Sequence, residues 1–252
     1  KGSLNQERAM RIPRVFTTEQ LDVGGLIELD KAAARHLTAV LRMGAGQAFI
    51  LFNGQGGEFA AELVQAKKDR ATAKITGFTE ADRESPLQLH LGIGISRGER
   101  MDWIVQKATE LGISQVSPIF SARCEVKLSG ERLDKRIKHW QQIAISACEQ
   151  SQRNSVPTIN RAVSLEQWLT SCDSSLKLVL HHRTEKRLRE MANIDSSIGI
   201  LVGPEGGLTD IEIEQAMAQN FQPLAMGPRV LRTETAPLAA ISIIQSIWGD
   251  MG

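Results

Sequence analysis

The sequence predicts a two-part α/β protein in which a small antiparallel barrel is followed by a parallel sheet covered by helices. Short apolar groups separated by glycine and charged turns fill the first third of the chain. After Pro86, strand and helix patterns alternate instead. The chain has 252 residues, enough for two hydrophobic cores. We therefore predict one domain at 10–83 and a second at 84–252.

Bulk composition gives little information about partners. The chain has 30 Lys and Arg against 29 Asp and Glu, so charge alone predicts neither a nucleic-acid nor a membrane partner. No apolar run approaches the ~18 residues of a spanning helix, and no signal-peptide pattern is present, which predicts a cytoplasmic protein. The three cysteines form neither a disulfide framework nor a CxxC zinc pattern, so we expect no metal.

In the first domain, the patterned sequence begins at Met10. We expect residues 1–9 to be a remnant of the start site or of cloning, outside the fold. A helical segment is predicted over 31–41, with Asp30 as its N-cap. The predicted strands are Gln47 to Phe52, Glu58 to Val64 and Ala71 to Phe78.

In the second domain, periodicity predicts five strands and six helices. The strands are Leu87 to Ile95, Val116 to Phe120, Leu176 to Leu180, Ile198 to Val202 and Pro223 to Met226. The helices are Glu99 to Leu111, Arg132 to Glu149, Ser164 to Leu169, Glu185 to Ala192, Asp210 to Gln219 and Thr235 to Trp248.

A glycine-rich turn, Gly203 to Gly207, follows one predicted strand and precedes a helix. Thr209 and Glu212 have the spacing of a capping box, so the turn lies just before the helix N-terminus. The turn matches neither phosphate-binding motif, because Pro204 has no N–H and Glu205 repels phosphate. It therefore predicts a ligand without phosphate that carries positive charge, or a tight turn with no ligand.

A second loop of the same topology follows the next strand and leads into the last helix at Ala236. Because carboxyl-end loops of neighbouring parallel strands meet at one crevice, both loops are expected to line a single ligand site. Arg229, Arg232 and Glu234 beside Val230 and Leu231 suit such a site, although a surface ion-pair cluster is the alternative. His181 and His182 follow another strand and are further candidates for this crevice.

Several basic residues are candidates for RNA contact. Arg97 and Arg100 begin a predicted helix and oppose its dipole, so an anionic group is expected near them. That group is an RNA phosphate or a local carboxylate, Glu99 or Asp102. In the first domain, the candidates for RNA-backbone contact are Arg11, Arg14, Arg35, His36 and Arg42.

The two loops together, Gly203-Pro204-Glu205-Gly206-Gly207 and Met226 to Ala236, closely resemble the paired motifs of the ribosomal RNA small subunit methyltransferase E family of the SPOUT class. The resemblance extends over nearly the whole chain from Met10. Gln152 stands where that family has a glycine, and His182-Arg183 replaces a more usual His-Pro-Arg. Further matching segments are 11–14, His36 with 40–43, 96–101, 148–150 and 153–154.

The resemblance implies an N-terminal PUA-like barrel that helps to hold RNA and a SPOUT domain with a C-terminal trefoil knot. It implies a homodimer, for which the apolar helix Thr235 to Trp248 is the expected interface. The implied cofactor is S-adenosylmethionine, and the implied reaction methylates N3 of a uridine in 16S rRNA of the small ribosomal subunit. The expected cofactor-binding residues are Leu180, Gly203, Glu205, Gly206, Gly207, Met226, Gly227, Arg229, Leu231, Thr233 and Ala236, and the expected RNA-binding residues are Arg11, Arg14, His36, Arg42, Arg97 and Arg100.

Methylation of uracil N3 requires loss of its proton, so the enzyme is expected to stabilise a developing uracil anion. Arg232 or Arg153 is the candidate for this role. Glu234 is a candidate base, with solvent as the alternative. Three other functions stay open: another SPOUT RNA methyltransferase acting on a ribose 2′-oxygen or on tRNA, a non-catalytic RNA-binding protein, and a nucleotide-binding Rossmann enzyme.

Overall fold

The structure is a computed structural model that describes residues 12–67, 69–181, 184, 188 and 196–252. Its contacts divide the chain into two units, with the division between Arg83 and Glu84. The first unit also includes the short segment Gln152–Ser155, although the sequence pattern predicts it in the second domain. Asn154 explains this grouping, because its side chain accepts a hydrogen bond from Arg14 at 2.5 Å and donates one to the Ala81 carbonyl at 2.8 Å.

The first unit contains one five-stranded sheet in the order β1-β3-β4-β5-β2. The pairings β3-β4-β5-β2 are antiparallel, but β1 pairs with β3 in parallel, so the predicted wholly antiparallel arrangement is wrong at this edge. The elements are β1 (Arg14–Phe16), β2 (Leu26–Glu28), α1 (Lys31–Arg35), a π-helical turn (His36–Val40), β3 (Ala48–Phe52), β4 (Glu58–Lys67) and β5 (Arg70–Thr79).

Asp30 caps α1 as predicted, since its carboxylate accepts hydrogen bonds from the N–H groups of Ala32 and Ala33. The predicted single helix over 31–41 instead changes from α to π geometry at His36. Gln152, which occupies the family's glycine position, has φ of +67°. The left-handed backbone that favours glycine is therefore present here with a glutamine in it.

The second unit is built on a seven-stranded sheet in which every described pairing is parallel. The strand order is β12-β10-β11-β6-β7-β8, and β9 also pairs with β7. The strands are β6 (Gln88–Gly94), β7 (Gln115–Phe120), β8 (Thr158–Ile159), β9 (Val163–Ser164), β10 (Leu176–Leu180), β11 (Ser197–Val202) and β12 (Gln222–Leu224). The helices are α2 (Arg100–Glu110), α3 (Gly130–Ser151), α4 (Leu165–Ser171), α5 (Asp210–Ala218) and α6 (Ala236–Trp248).

Hydrophobic side chains cover both faces of this sheet, as expected for a parallel sheet between helices. On β11, Ile200 joins the larger cluster with residues of α2, α3 and α6, while its neighbour Leu201 joins a smaller cluster with residues of α4 and α5. The five predicted strands are confirmed within one to two residues at their ends. Two short strands, β8 and β9, were not predicted, because two residues carry no periodicity.

Five of the six predicted helices of this unit are present, and the capping box of Thr209 and Glu212 is confirmed. The predicted helix over 185–192 lies outside the described residues except for Leu188. The last helix, α6, is buried along one side, at Pro237, Ala240, Ile241 and Ile244, as expected for an apolar helix. Ile243 and Ile247, four residues apart, are its exposed large apolar residues.

No helix in the described part of the chain is long and apolar enough to cross a membrane. Likewise, the described residues contain no group of three or more His, Cys, Asp and Glu side chains that could hold a metal ion.

Candidate functional site

A cavity of about 330 Å³ lies at the carboxyl ends of β10, β11 and β12. Its walls come mainly from the two loops predicted from the sequence, the first loop (203–208) after β11 and the second loop (225–235) after β12. Because β10 pairs with both β11 and β12, the two loops flank the end of the same strand. Parallel topology therefore brings together two segments that are about twenty residues apart in sequence.

The first loop, 203–208, is held tightly by its own backbone. The Gly207 N–H donates to the Pro204 carbonyl at 2.8 Å, and Gly207 has φ of +69°. A Cβ at Gly203 would lie 2.8 Å from the backbone nitrogen of Leu208, which is closer than real contacts allow. Glycine is therefore required at 203 by the turn itself, before any ligand is considered.

Arg123 binds the first loop from a different segment of the chain. It follows β7, and its guanidinium donates to the Gly206 carbonyl at 3.0 Å. Glu212 connects the segment after β7 to the start of α5, because its carboxylate accepts from the Ala122 N–H at 2.8 Å and also completes the capping box with Thr209. Arg123 was not predicted from the sequence, although it follows the carboxyl end of a parallel strand, where ligand-binding residues are common.

Glu205 connects the first loop to the start of α2. Its Oε1 accepts hydrogen bonds from the Arg97 backbone N–H and from Arg100 Nη1, both at 2.8 Å. Burial raises the pKa of Glu205, but these two partners outweigh burial and hold the pKa below its ordinary value. Glu205 is therefore an ionised anchor of the loop.

The anionic partners of Arg97 and Arg100 are carboxylates, but not those that the sequence suggested. The side chain of Arg97 pairs with Glu125 at 2.5 Å, and Arg100 pairs with Glu205 and, at 3.7 Å, with Glu234. Of the two expected local partners, Asp102 instead accepts hydrogen bonds from Trp140 and pairs with His139. Both arginines therefore pair with carboxylates that are distant in sequence instead of with Glu99 or Asp102.

The second loop, 225–235, is more open. Gly227 has φ of +87°, and a Cβ built there would meet no described atom within 4 Å. Val230 is 78% exposed, and the Arg232 side chain is 82% exposed. The loop ends where the N–H groups of Thr235 and Ala236 donate to the Arg232 carbonyl, and in the described part of the chain Thr235 makes no side-chain cap.

All eleven residues predicted to bind the cofactor line this one cavity. His181 also lines it, whereas His182 lies outside the described residues. The remaining lining residues were not among the predicted cofactor-binding residues, although Pro204 and Val230 belong to the two predicted loops. They are Arg123, Val202, Pro204, Leu208, Asp210, Ile213, Leu224 and Val230.

The three candidate catalytic residues differ in their surroundings. Glu234 lines a second, open groove of about 590 Å³, and Arg232 Nη1 lies 4.0 Å from its carboxylate. Arg153 is buried and belongs to the first unit. The structure therefore brings together Arg232 and Glu234 in the second unit.

The residues of the first unit that were predicted to contact RNA differ in their solvent exposure. Arg14 is buried, pairs with Glu58 and Asn154, and lies over the ring of Phe52. Its predicted contact with RNA is therefore corrected to a structural role, since its guanidinium is already engaged inside the unit. His36 is half-buried, Arg42 is exposed, and Arg11 lies outside the described residues.

Two family models match the chain. The RNA methyltransferase domain matches residues 83–245, and the RNA methyltransferase PUA domain matches residues 29–76. The first match alone covers more than half of the chain, and it spans both cavity loops.

Curated relatives with the same name match over nearly the full length. Ribosomal RNA small subunit methyltransferase E of Buchnera aphidicola is 33% identical over 96% of this chain and 98% of its own length. The protein of that name from Bacillus subtilis is 33% identical over 91% of this chain and 93% of its own.

Two solved structures share the fold. A methyltransferase structure from Legionella pneumophila, described as a complex with the cofactor SAM, is 40% identical with a TM-score of 0.93 and covers 95% of this chain and 99% of that one. The ribosomal RNA small subunit methyltransferase E of Neisseria gonorrhoeae, bound to S-adenosylmethionine, is 40% identical with a TM-score of 0.90, over 96% of this chain and all of that one. The chain therefore belongs to the ribosomal RNA small subunit methyltransferase E family, with a PUA domain and an RNA methyltransferase domain.

Proposed function

We propose that this protein uses S-adenosylmethionine to methylate N3 of a uridine in 16S rRNA of the small ribosomal subunit. The observation that carries the proposal is the convergence of eleven cofactor candidates from three strand ends on one cavity. The family and the two S-adenosylmethionine-bound structures support the cofactor and the RNA substrate. An rRNA substrate also supports the predicted cytoplasmic location.

The cavity suits this cofactor chemically. Its volume lies in the range of small-molecule sites, and Leu180, Met226 and Leu231 provide apolar surface for an adenine ring. The first loop carries a proline and a carboxylate where a phosphate site needs N–H donors, which fits a ligand without phosphate. When bound, S-adenosylmethionine supplies an electrophilic methyl group and leaves as a neutral thioether.

Arg232 and Glu234 are the residues that we assign to the uracil. Arg232 is exposed and only loosely paired, so its guanidinium is available to stabilise the negative charge that develops when N3 loses its proton. Glu234 is one-fifth exposed, and we assign it to accept that proton, with solvent as the alternative acceptor. Arg153 stays a sequence-based candidate for the same task, and its side chain is buried.

We also propose that the first unit holds RNA, with the exposed Arg42 and the half-buried His36 as its contacts. Arg11 stays a sequence-based candidate. The SPOUT class and its trefoil knot are likewise proposals that follow from the resemblance.

A homodimer through α6 is the remaining proposal about assembly. Its support is Ile243 and Ile247, which expose apolar surface on one side of a helix whose other side is buried. Sedimentation at micromolar concentration is expected to show a dimer, and Ile243→Asp is expected to shift it towards monomer. A wild-type monomer would contradict this proposal.

The function is tested by mass-spectrometric mapping of modified nucleosides in 16S rRNA from cells with and without the protein. Loss of one 3-methyluridine in the deletion strain, restored by the wild-type gene, is the expected result. A ribose 2′-O-methyl group lost instead would favour another SPOUT activity.

Calorimetric titration with S-adenosylhomocysteine separates the remaining alternatives. Binding is expected for a methyltransferase, whereas no binding would favour a non-catalytic RNA-binding protein. Absence of this binding together with tight ATP or NAD binding would favour a Rossmann enzyme.

A further inference from the structure

An exposed tryptophan stands at the edge of the site and has no part in the function described so far. Trp103 on α2 is 52% exposed, whereas Trp140 and Trp168 are 2% and 1% exposed. The buried stripe of α2 consists of Met101, Ile104, Val105 and Ala108, so Trp103 lies off the face that packs in the core. The fold therefore does not need an indole at this position.

Trp103 lines the open groove of about 590 Å³, together with Arg97, Gly98, Glu99, Arg100 and Glu234. The ammonium group of Lys107 lies 5.2 Å from the centre of the indole ring, a cation–π contact one helical turn along α2. The groove therefore combines one large aromatic surface with charged walls.

The charges of this groove are already balanced by protein groups. Arg97 pairs with Glu125, and Arg100 pairs with Glu205 and Glu234. A phosphate would have to displace these carboxylates and would meet Glu99 and Glu234 in the same groove. A neutral aromatic group neither displaces these carboxylates nor is repelled by them, so the groove suits a nucleobase better than the RNA backbone.

The groove also shares its framework with the cofactor cavity. Glu205 lines the cavity and hydrogen-bonds Arg100, which lines the groove. Thr233 lines the cavity, while the next residue, Glu234, lines the groove. A base held in the groove is therefore held against the same ion-pair network that anchors the cofactor loop.

We propose that Trp103 is a stacking platform for a nucleobase of the RNA substrate, at or next to the base that is methylated. The proposal rests on the proposed RNA methyltransferase function and adds a specific substrate contact to it. Enzymes that modify a base must bring it out of its stack, and an aromatic side chain offers a replacement partner for the exposed ring.

Kinetics of two variants provide the first test. Trp103→Ala is expected to raise the KM for RNA by about 10- to 100-fold, the range found when a base loses its aromatic partner. Trp103→Phe, which retains a ring, is expected to recover most of this loss. Affinity for S-adenosylhomocysteine and the melting temperature are expected to stay at wild-type values, since the indole is outside the core. Gln106→Ala, at an exposed position of the same helix, is the matched control.

Intrinsic fluorescence provides a readout that does not depend on activity. A short uridine-rich single-stranded RNA is expected to quench the tryptophan fluorescence of the wild type. The fluorescence of Trp103→Phe, which lacks this indole, is expected to stay unchanged when the same RNA is added. The same RNA with abasic positions in place of the uridines tests whether the base is needed.

Three outcomes would overturn the stacking proposal: an unchanged RNA KM in Trp103→Ala, no quenching at saturating RNA, or equal quenching by the abasic RNA. Failure of the wild-type protein to methylate RNA at all would instead count against the proposed function, so the two failures are distinguishable.

Discussion

The two loops of the cavity have similar positions but differ in what holds them. The first, 203–208, is fixed by close backbone contacts at Gly203 and by hydrogen bonds to Glu205 and from Arg123. The second, 225–235, exposes Val230 and Arg232. The first loop is thus part of the folded framework, whereas the side chains of the second are left available for ligands. Substitutions in the first loop should affect stability and binding together, while those in the second should affect binding or rate alone.

The largest effect is expected for Arg232→Ala in the second loop. Turnover should fall by about 100-fold or more, because loss of one well-placed charge-stabilising donor has that size. The melting temperature and the affinity for S-adenosylhomocysteine should change little, since the side chain is exposed.

Arg229→Ala is the matched control, because Arg229 lines the cavity from the same loop. It is expected to weaken cofactor binding while leaving the rate at saturating cofactor near wild type. Single-turnover rates and calorimetry on both variants make the comparison. A normal rate in Arg232→Ala would end its assignment to the uracil.

Gly203→Val in the first loop should lower both stability and cofactor affinity. The added Cβ would lie 2.8 Å from the Leu208 backbone nitrogen, so the loop itself must shift to admit the side chain. Overpacking of this kind costs about 1–3 kcal/mol of unfolding free energy. Chemical denaturation and S-adenosylhomocysteine titration measure the two losses.

The counterpart in the second loop is Gly227→Asn, where the space is open and asparagine tolerates positive φ. This variant should keep its unfolding free energy within about 1 kcal/mol of wild type. If Gly203→Val and Gly227→Asn lowered the unfolding free energy equally, the proposal that the first loop is the more tightly held of the two would be contradicted.

Glu205→Gln tests the anchor of the first loop with a smaller expected effect. The amide oxygen still accepts a hydrogen bond, but the ion pair with Arg100 is lost, which is worth up to about 1 kcal/mol at a partly exposed site. Because the pKa of Glu205 is lowered in the folded protein, its contribution is complete above about pH 4.3 and is lost as pH falls through the lowered value.

Melting temperatures of the wild type and Glu205→Gln should therefore differ near neutral pH and converge in acid. Glu99→Gln, on an exposed neighbour of Arg100, serves as the control for removing one negative charge. A constant difference at all pH values would argue against the ionised anchor.

The smallest effect is expected at His90, which pairs opposite Gly199 on β11, the strand that leads to the first loop. Its Nε2 lies 2.8 Å from Ser117 Oγ and accepts from Trp168 Nε1 at 3.3 Å. Burial lowers the pKa of His90, and Asp173 opposes this only partly. The unfolded state then binds more protons, so stability should fall as pH drops below about 6.5.

His90→Gln is expected to reduce this slope of stability against pH between about pH 6.5 and 5, because glutamine does not titrate. Thermal unfolding across this range measures it. An identical slope in both proteins would assign the pH dependence to other groups.

Local sequence was sufficient for most of the second unit. Period and capping signals located α5 correctly, because Thr209 and Glu212 act within one helical turn. Both loops could be assigned to one crevice, since parallel strands deliver their carboxyl ends to one edge. Arg14 shows the limit of such reasoning: an arginine that reads as a surface RNA contact is buried against Glu58, Asn154 and Phe52.

The sequence by itself determined the fold class, the two loops and the family to which they point, because those signals are carried by neighbouring residues or by an ordered set of motifs. Only the tertiary structure decided which charges pair. Arg100 meets Glu205 and Glu234 rather than the near Glu99 or Asp102, and Trp103 is left outside the core. Such pairings depend on distances between segments more than a hundred residues apart, and chain topology, not local pattern, sets those distances.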